Sequence, residues 1–340
     1  MRSLTLVIVS FLLLGNINES FSQTKKYLRR NRDAQITIYG DSNMYSRGVY
    51  VDSSIAYFAS SDGSVIQFNA ETEKSTRVLK LARRGENRDI EVSNNLMIVM
   101  QSGDNGSLTK IDSQGNVGFY EPREWKGLFL DAFDFHEKVG LLLGDPVDGY
   151  FTLYHTIDGG RTWQKCDGKV PAKKGEAAFA ASGSNVHVFN DSTYAFISGG
   201  MQSSFHKSSD NGKTWVSVDL PYYPSETNGP YSMCFSDDKN GVIVGGNYKQ
   251  SDLKMNTTYF THDGGETWYN SFQPPGGYRS CVIHHNGVYY ACGQNGIDFS
   301  YNGEVWVPFA EGKYYAMAVF QNQVIATMRH GRFKSFELVD

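Results

Sequence analysis

Cysteine and proline are scarce in this chain, with 4 and 9 among 340 residues, and apolar runs of helical period are few. The four cysteines include no Cys-x-x-Cys pair and no haem-type Cys-x-x-Cys-His, and the glycine fingerprint of dinucleotide sites is missing, which excludes redox chemistry of those kinds. There is no Gly-x-Ser-x-Gly elbow and no His-Glu-x-x-His helix. The formal net charge is −4, and nothing in its distribution suggests nucleic acid. No apolar run approaches the roughly 20 residues that a membrane-spanning helix needs. The best candidate, Leu4 to Leu14, follows a single basic residue, Arg2, and precedes the small residues Ser20 and Ser22. That order reads as a secretory signal peptide over 1–22. The mature chain, 23–340, is therefore expected to be exported, to periplasm, cell surface or medium, and not to be transmembrane. The basic cluster Lys25, Lys26, Arg29, Arg30 and Arg32 reads as a solvated leader.

Glycine, tyrosine and phenylalanine are abundant instead, at 35, 21 and 21 residues, which predicts an all-β protein of short strands and tight turns. The stretch "TIDGGRTW", Thr156 to Trp163, returns as "SSDNGKTW" at Ser208 to Trp215 and as "THDGGETW" at Thr261 to Trp268, with a shorter echo, "SYNGEVW", at Ser300 to Trp306. β-Repeats of about 40 to 50 residues are propeller blades, and weaker copies on either side bring the count to seven. The last copy ends at Leu338 with three strands, whereas Ala34 to Tyr39 is a strand without a blade. Its pairing there predicts a single seven-bladed β-propeller of four-stranded antiparallel blades, closed by the N-terminal strand. Asp158, Asp210 and Asp263 read as turn residues: each carboxylate accepts from a backbone N–H two residues on, and the following residue takes a positive φ. Trp163, Trp215, Trp268 and Trp306 are expected to pack against the neighbouring sheet. A calcium loop would need further oxygen ligands and a bidentate Glu, so no metal is expected, and no cofactor.

These turns match the Asp-box of BNR repeats, found in sialidases and other propellers. The longer phrases "SRGVYVDSSIAYFASSDGSV", "FLDAFDFHEKVGLLLGDPVDGYF", "GEAAFAASGSN" and "GYRSCV" resemble those of exported bacterial propellers related to the photosystem II stability and assembly factor. That resemblance implies a module that holds a protein partner, in the photosynthetic members a membrane-protein precursor bound through basic residues of the propeller.

In a propeller, the loops leading into the inner strands and those joining second to third strands share one face. The first set places Arg47, Arg88 with Asp89, Asp131, Glu176, Tyr231, Arg279 and Tyr315 there, and the second adds Asp62, Asp104, Asp145 and Asn295. An arginine fork matches a carboxylate, so Arg47, Arg88 and Arg279 with Asp89, Asp131, Asp145 and Glu176 form the candidate binding site. The competing expectation is that these charges satisfy one another, Arg88 with Asp131 for instance. A sialidase-like glycosidase would instead use Tyr278 as nucleophile, Glu176 as its partner and Asp131 as acid/base, although the Arg-Ile-Pro phrase of those enzymes is replaced by "RGV" at Arg47 to Val49. The expected function is an exported, non-catalytic binding or assembly module, monomeric, with a protein or peptide partner and a glycan as the lesser option. The alternative is a sialidase-like glycoside hydrolase or a glycan-binding protein. Finally, a two-residue turn at Asn286-Gly287 sets Cys281 opposite Cys292. A disulfide there is open in an exported protein, though directly opposed residues are not its ideal geometry. Cys166 and Cys234 have no evident partner.

Overall fold

A computed structural model of the chain describes residues 34–37, 44–72, 74–80, 86–103, 106–320 and 322–338. The signal-peptide segment, 1–22, and Asp104 lie outside the described residues. Seven antiparallel sheets form seven blades. Blade one is Ser46–Asp52, Ile55–Ser60, Ser64–Asn69 and Lys74–Lys80, from channel to rim. Blades two and three begin with Glu86–Ser93 and Leu130–His136, blades five, six and seven with Asn228–Phe235, Cys281–His285 and Met317–Phe320. Blade four differs. Its innermost strand comes in two pieces, Glu176–Ala177 and Val186–Val188, both paired to Tyr194–Gly200.

The stacking of blades face to face explains the apolar runs. Leu141, Leu142 and Leu143 are all fully buried, yet successive strand residues face opposite ways. Leu142 packs with Phe133 and Trp163, and with Ile98 and Leu108 of blade two. Leu141 and Leu143 pack with Phe151 and with Phe196 of blade four. Outer strands such as Lys74–Lys80 are largely exposed and carry no such run.

The ring closes as expected. Ala34–Thr37 pairs antiparallel with Arg332–Glu337, Ala34 opposite Ser335 and Thr37 opposite Arg332. Ile38 and Tyr39 of the expected strand lie outside the described residues. A chain shortened to begin after Thr37 should unfold at lower urea and aggregate on standing, because Arg332–Glu337 becomes an unpaired edge. Urea titration with light scattering checks this, and an unchanged midpoint would contradict it.

The repeated aspartates bond within their own turns, with one difference from expectation. The amide that all three carboxylates accept from lies four residues on, not two, and Asp210 also accepts from Lys213 N–H three residues on. Thr162 N–H donates to Asp158 Oδ1 at 2.9 Å, Thr214 N–H to Asp210 at 2.8 Å and Thr267 N–H to Asp263 at 2.9 Å. The turn has room for this because two positive-φ residues intervene, Gly159 and Gly160 in blade three and Asn211 and Gly212 in blade four. The Thr156 hydroxyl donates to Asp158 and accepts from Gly160 N–H, and Ser208 and Thr261 repeat this. Trp163 and Trp306 are buried, whereas Trp215 and Trp268 are half-buried.

The blade-six hairpin turns at Asn286 (φ 46°) and Gly287 (φ 78°), which suits a two-residue primed turn. It sets Cys281 directly opposite Cys292. Both are buried and carry free thiols in this structure, as do Cys166 and Cys234.

Candidate functional site

A β-bulge recurs at the same step of the inner strands. Pairing skips one residue between Ser46 and Gly48, between Asn87 and Asp89, between Leu130 and Ala132, and between Pro230 and Ser232. The extra residues are Arg47, Arg88, Asp131 and Tyr231. In blade seven the Tyr315 N–H reaches the Thr327 carbonyl while the Thr327 N–H bonds Ala316, so Tyr315 holds the equivalent place. A bulge re-aims one side chain out of the pleat. Repeated around the ring, it turns this set of side chains toward the channel.

The channel is crossed by the segment 178–185, which leaves the blade-four ladder between its two inner pieces. Its bonds reach five other blades. Arg47 Nη1 donates to the Ala181 carbonyl at 3.1 Å and Arg88 Nη1 to the Ala180 carbonyl at 2.7 Å. Ala178 N–H donates to Asp145 Oδ1 at 3.1 Å, Met233 N–H to the Ser184 carbonyl at 2.8 Å, and the Ser182 hydroxyl to the Ser280 carbonyl at 2.8 Å. Small side chains permit this passage. A Cβ on Gly183 would stand 2.3 Å from Asp89 Oδ1.

This plug forms part of the wall of a cavity of about 340 Å³ on the face opposite the aspartate turns. Arg47, Arg88, Asp131, Ala178–181, Tyr231, Tyr278 and Tyr315 line it. Phe179 stacks on Tyr231 at 4.5 Å, and Tyr278 meets Tyr231 edge-on at 4.9 Å. The Arg47 guanidinium lies 5.1 Å over the Tyr45 ring, and no carboxylate pairs with it among the described residues. Arg88 pairs with Glu86 at 2.9 Å, whose other oxygen accepts from the Tyr45 hydroxyl at 2.8 Å.

Polar atoms without partners collect here. Among the described residues, Arg47 Nε, Arg88 Nε and both carboxylate oxygens of Asp131 are buried and make no hydrogen bond of good geometry. The amides of Ala180 and Asp145 lie near Asp131, but the Asp145 N–H is already committed to the Phe129 carbonyl at 3.0 Å. The expected Arg88–Asp131 ion pair is not formed, since Arg88 is spent on Glu86 and Ala180. Burial, followed by the adjacent Asp145, pushes the Asp131 carboxyl well above the usual range, with Arg88 opposing. Burial and then the Arg47 cation lower the Arg88 value.

Other residues named from sequence go elsewhere. Arg279 is 1% exposed and sealed: its Nε donates to Asp298 Oδ2 at 2.8 Å, its Nη2 also bonds Asp298, and its Nη1 bonds the Tyr278 carbonyl and Asn295. The cause is an offset of one. The Ser280 N–H bonds the carbonyl of Cys292, the residue that Cys281 opposes, so Ser280 takes the bulge position and lines the cavity. Arg279 then points into the blade, because a shift of one residue reverses the side-chain direction. Asp89 accepts from the amides of Ile90 and Phe133. Asp145 holds the plug, and Asp62 caps its own turn through Ser64 N–H and pairs with Lys80.

Glu176 does not reach the cavity either. It accepts from the Ser198 hydroxyl at 2.5 Å and the Lys173 amide at 2.8 Å, and Ser198 is bonded to His206 at 2.9 Å. The expected pairing of Tyr278 with Glu176 is therefore not formed, since the glutamate turns inward from a two-residue strand. Burial works to raise its carboxyl, but the bonds from His206, Ser198 and Lys173 outweigh it and hold the value at about 2. A depressed value means that the ionised group stabilises the fold above its unfolded pKa and loses that contribution as pH falls through the folded one. Glu176→Gln should thus flatten the loss of stability between pH 4.5 and about 2, measured as urea midpoints. A variant with the wild-type acid profile would contradict it.

The family model for sortilin, neurotensin receptor 3, matches residues 151–275, a little over a third of the chain, and no curated protein matches in sequence. The chain is a seven-bladed β-propeller with YCF48 and virginiamycin B lyase among its structural neighbours. Virginiamycin B lyase from Staphylococcus aureus with quinupristin superposes with a TM-score of 0.68 at 12% identity, over 91% of this chain and 99% of that one. YCF48 bound to D1 peptide gives 0.64 at 11% identity, over 92% and 97%. A xyloglucanase of family GH74 from Xanthomonas campestris gives 0.66 at 15% identity, over 91% of this chain and 54% of that one. At such identities the likeness is one of fold.

Proposed function

We propose that this chain is an exported binding module that holds a protein or peptide partner by a carboxylate-bearing segment inserted in the cavity above the plug. The observation that carries this reading is the gathering of unpartnered polar atoms, Arg47 Nε, Arg88 Nε and the Asp131 oxygens, on one cavity. Each buried polar group without a partner costs on the order of 1–3 kcal/mol, and a ligand that completes them removes that cost. The sign of the ligand follows from Arg47, which has no carboxylate of its own among the described residues. The aromatic wall suits a flat or apolar neighbour beside that carboxylate. YCF48, solved with a bound peptide, is consistent with a peptide ligand on this fold.

The glycosidase reading asks for a nucleophile and a carboxylate partner at one place. It has Tyr278 and Asp131 on the cavity but loses Glu176 to blade four.

An array of short peptides differing in carboxylate content tests the proposal. Wild-type protein should select carboxylate-bearing members, and Arg47→Glu with Arg88→Glu should lower retention per folded molecule at least tenfold, the folded fraction being read from urea titration because both arginines also hold the plug. Indifference of the array to carboxylates, or full retention by the double variant, would overturn it.

A further inference from the structure

We propose that Asp131 sets the specificity of this cavity by sharing a proton with the ligand's carboxylate, in a contact flanked by Arg47 and Arg88. The inference rests on the reading above, that the ligand carries a carboxylate.

The geometry begins with the bulge. Asp131 is the extra residue between Leu130 and Ala132, is 1% exposed and forms part of the cavity wall. An ionised carboxylate so placed would be expected to draw a cation or several N–H donors. It has neither. Arg88, the nearest guanidinium, gives Nη2 to Glu86 and Nη1 to the Ala180 carbonyl. The other neighbour is a second carboxylate, Asp145, which accepts from Ala178 N–H and works against a charge on Asp131. Two carboxyl groups at one site favour keeping a proton on the more buried one, and Asp131 is the more buried here. A protonated Asp131 then has an O–H with no acceptor among the described residues.

A ligand carboxylate supplies that acceptor. One of its oxygens takes the Asp131 proton in an O–H···O⁻ bond, a short and strong type, and the remaining lone pairs lie toward the guanidinium groups of Arg47 and Arg88 on the same cavity wall. A carboxamide offers only one oxygen and brings an NH₂ toward two guanidinium groups, so the site discriminates between them. An ionised Asp131 would repel the same carboxylate. Binding is therefore predicted to weaken as pH rises through the Asp131 pKa, by up to about tenfold per unit. The charged or titratable groups around Asp131 are Arg88 from blade two, with Glu86 paired to it, Asp145 from blade three and, on the cavity wall, Arg47, Glu226 and the tyrosines 231, 248, 278, 314 and 315. Burial raises Tyr231 and Tyr278 above the ordinary tyrosine value.

Calorimetric titration of the full chain with N-acetyl-phenylalanine and with its carboxamide, from pH 5.5 to 8.5, tests this. The free acid should bind and lose affinity with rising pH, and the carboxamide should be at least tenfold weaker than the acid at pH 5.5. Asp131→Asn, which keeps an N–H donor at every pH, should bind the acid with no pH dependence. Absence of any binding that Arg47→Glu with Arg88→Glu abolishes would remove the carboxylate reading itself. Arginine-dependent binding that is flat with pH in the wild type, or equally pH-dependent in Asp131→Asn, would overturn the role of Asp131 and leave that reading standing. The wild-type profile decides the matter even if the variant folds poorly.

Discussion

Gly183→Val is expected to abolish capture of carboxylate ligands and to lower stability, because the plug can no longer seat. Gly183 has a φ of 76°, a conformation that costs a β-branched residue about 1–3 kcal/mol on its own. The larger effect is steric. The added Cβ falls 2.3 Å from Asp89 Oδ1, and Asp89 is pinned by the amides of Ile90 and Phe133. The segment 178–185 has to lift, which takes the Ala180 and Ala181 carbonyls from Arg88 and Arg47 and removes their share of the cavity wall. Gly149→Val separates the two causes. Gly149 has a comparable φ of 82° and nothing within 4 Å of its Cβ, so it should show the strain without the loss of binding. Urea midpoints and titration with N-acetyl-phenylalanine measure both. Wild-type affinity in Gly183→Val would mean that the plug does not shape the cavity.

Arg279→Met should be among the most destabilising single changes in the molecule, at about 3–5 kcal/mol. It leaves Asp298, 2% exposed, as an uncompensated charge and strips Asn295 of its guanidinium partner. The loss belongs to the broken pair rather than to the pair's net worth, so Arg279→Met combined with Asp298→Leu should regain much of it. Equilibrium unfolding of the two variants checks this. If the double variant is as unstable as the single one, the ion pair stabilises the fold in its own right. Neither variant removes a cavity-lining residue, so ligand affinity per folded molecule should stay near wild type.

The blade count and the closing strand could be read in the sequence because both rest on local signals. The Asp-Gly turns mark where third strands end, and the orphan strand at Ala34 matches a blade that stops at Leu338. The cavity was only partly legible. Arg47, Arg88, Asp131, Tyr231 and Tyr315 were placed by the topology alone, but the bulges that aim them depend on pairing across the sheet, which no local pattern announces. Blade six shows the cost. Arg279 looks like a counterpart of Arg47, yet the bulge falls on Ser280, and one residue of offset moves a guanidinium from cavity to core. The plug was hidden for a different reason. "AFAASGSN" reads as a weak strand and loop of small residues, and what gives it shape is a set of hydrogen bonds to five other blades, four through its backbone and one through the Ser182 hydroxyl.

The closing strand also bears on how the ring is made. Ala34–Thr37 meets Arg332–Glu337, so the seventh sheet brings together the two segments of the propeller that lie farthest apart in sequence. Blades one to six can form by local hairpins as they appear, whereas the seventh waits for the last of its strands and pays the loop-closure entropy of a long-range contact. A refolding experiment should then resolve a late step that depends on Ala34–Thr37, preceded by a species with six formed sheets and one open edge. Joining the two ends with a short linker and opening the chain at an exposed turn such as Asp148–Gly149 would make that blade local, and the late step should quicken.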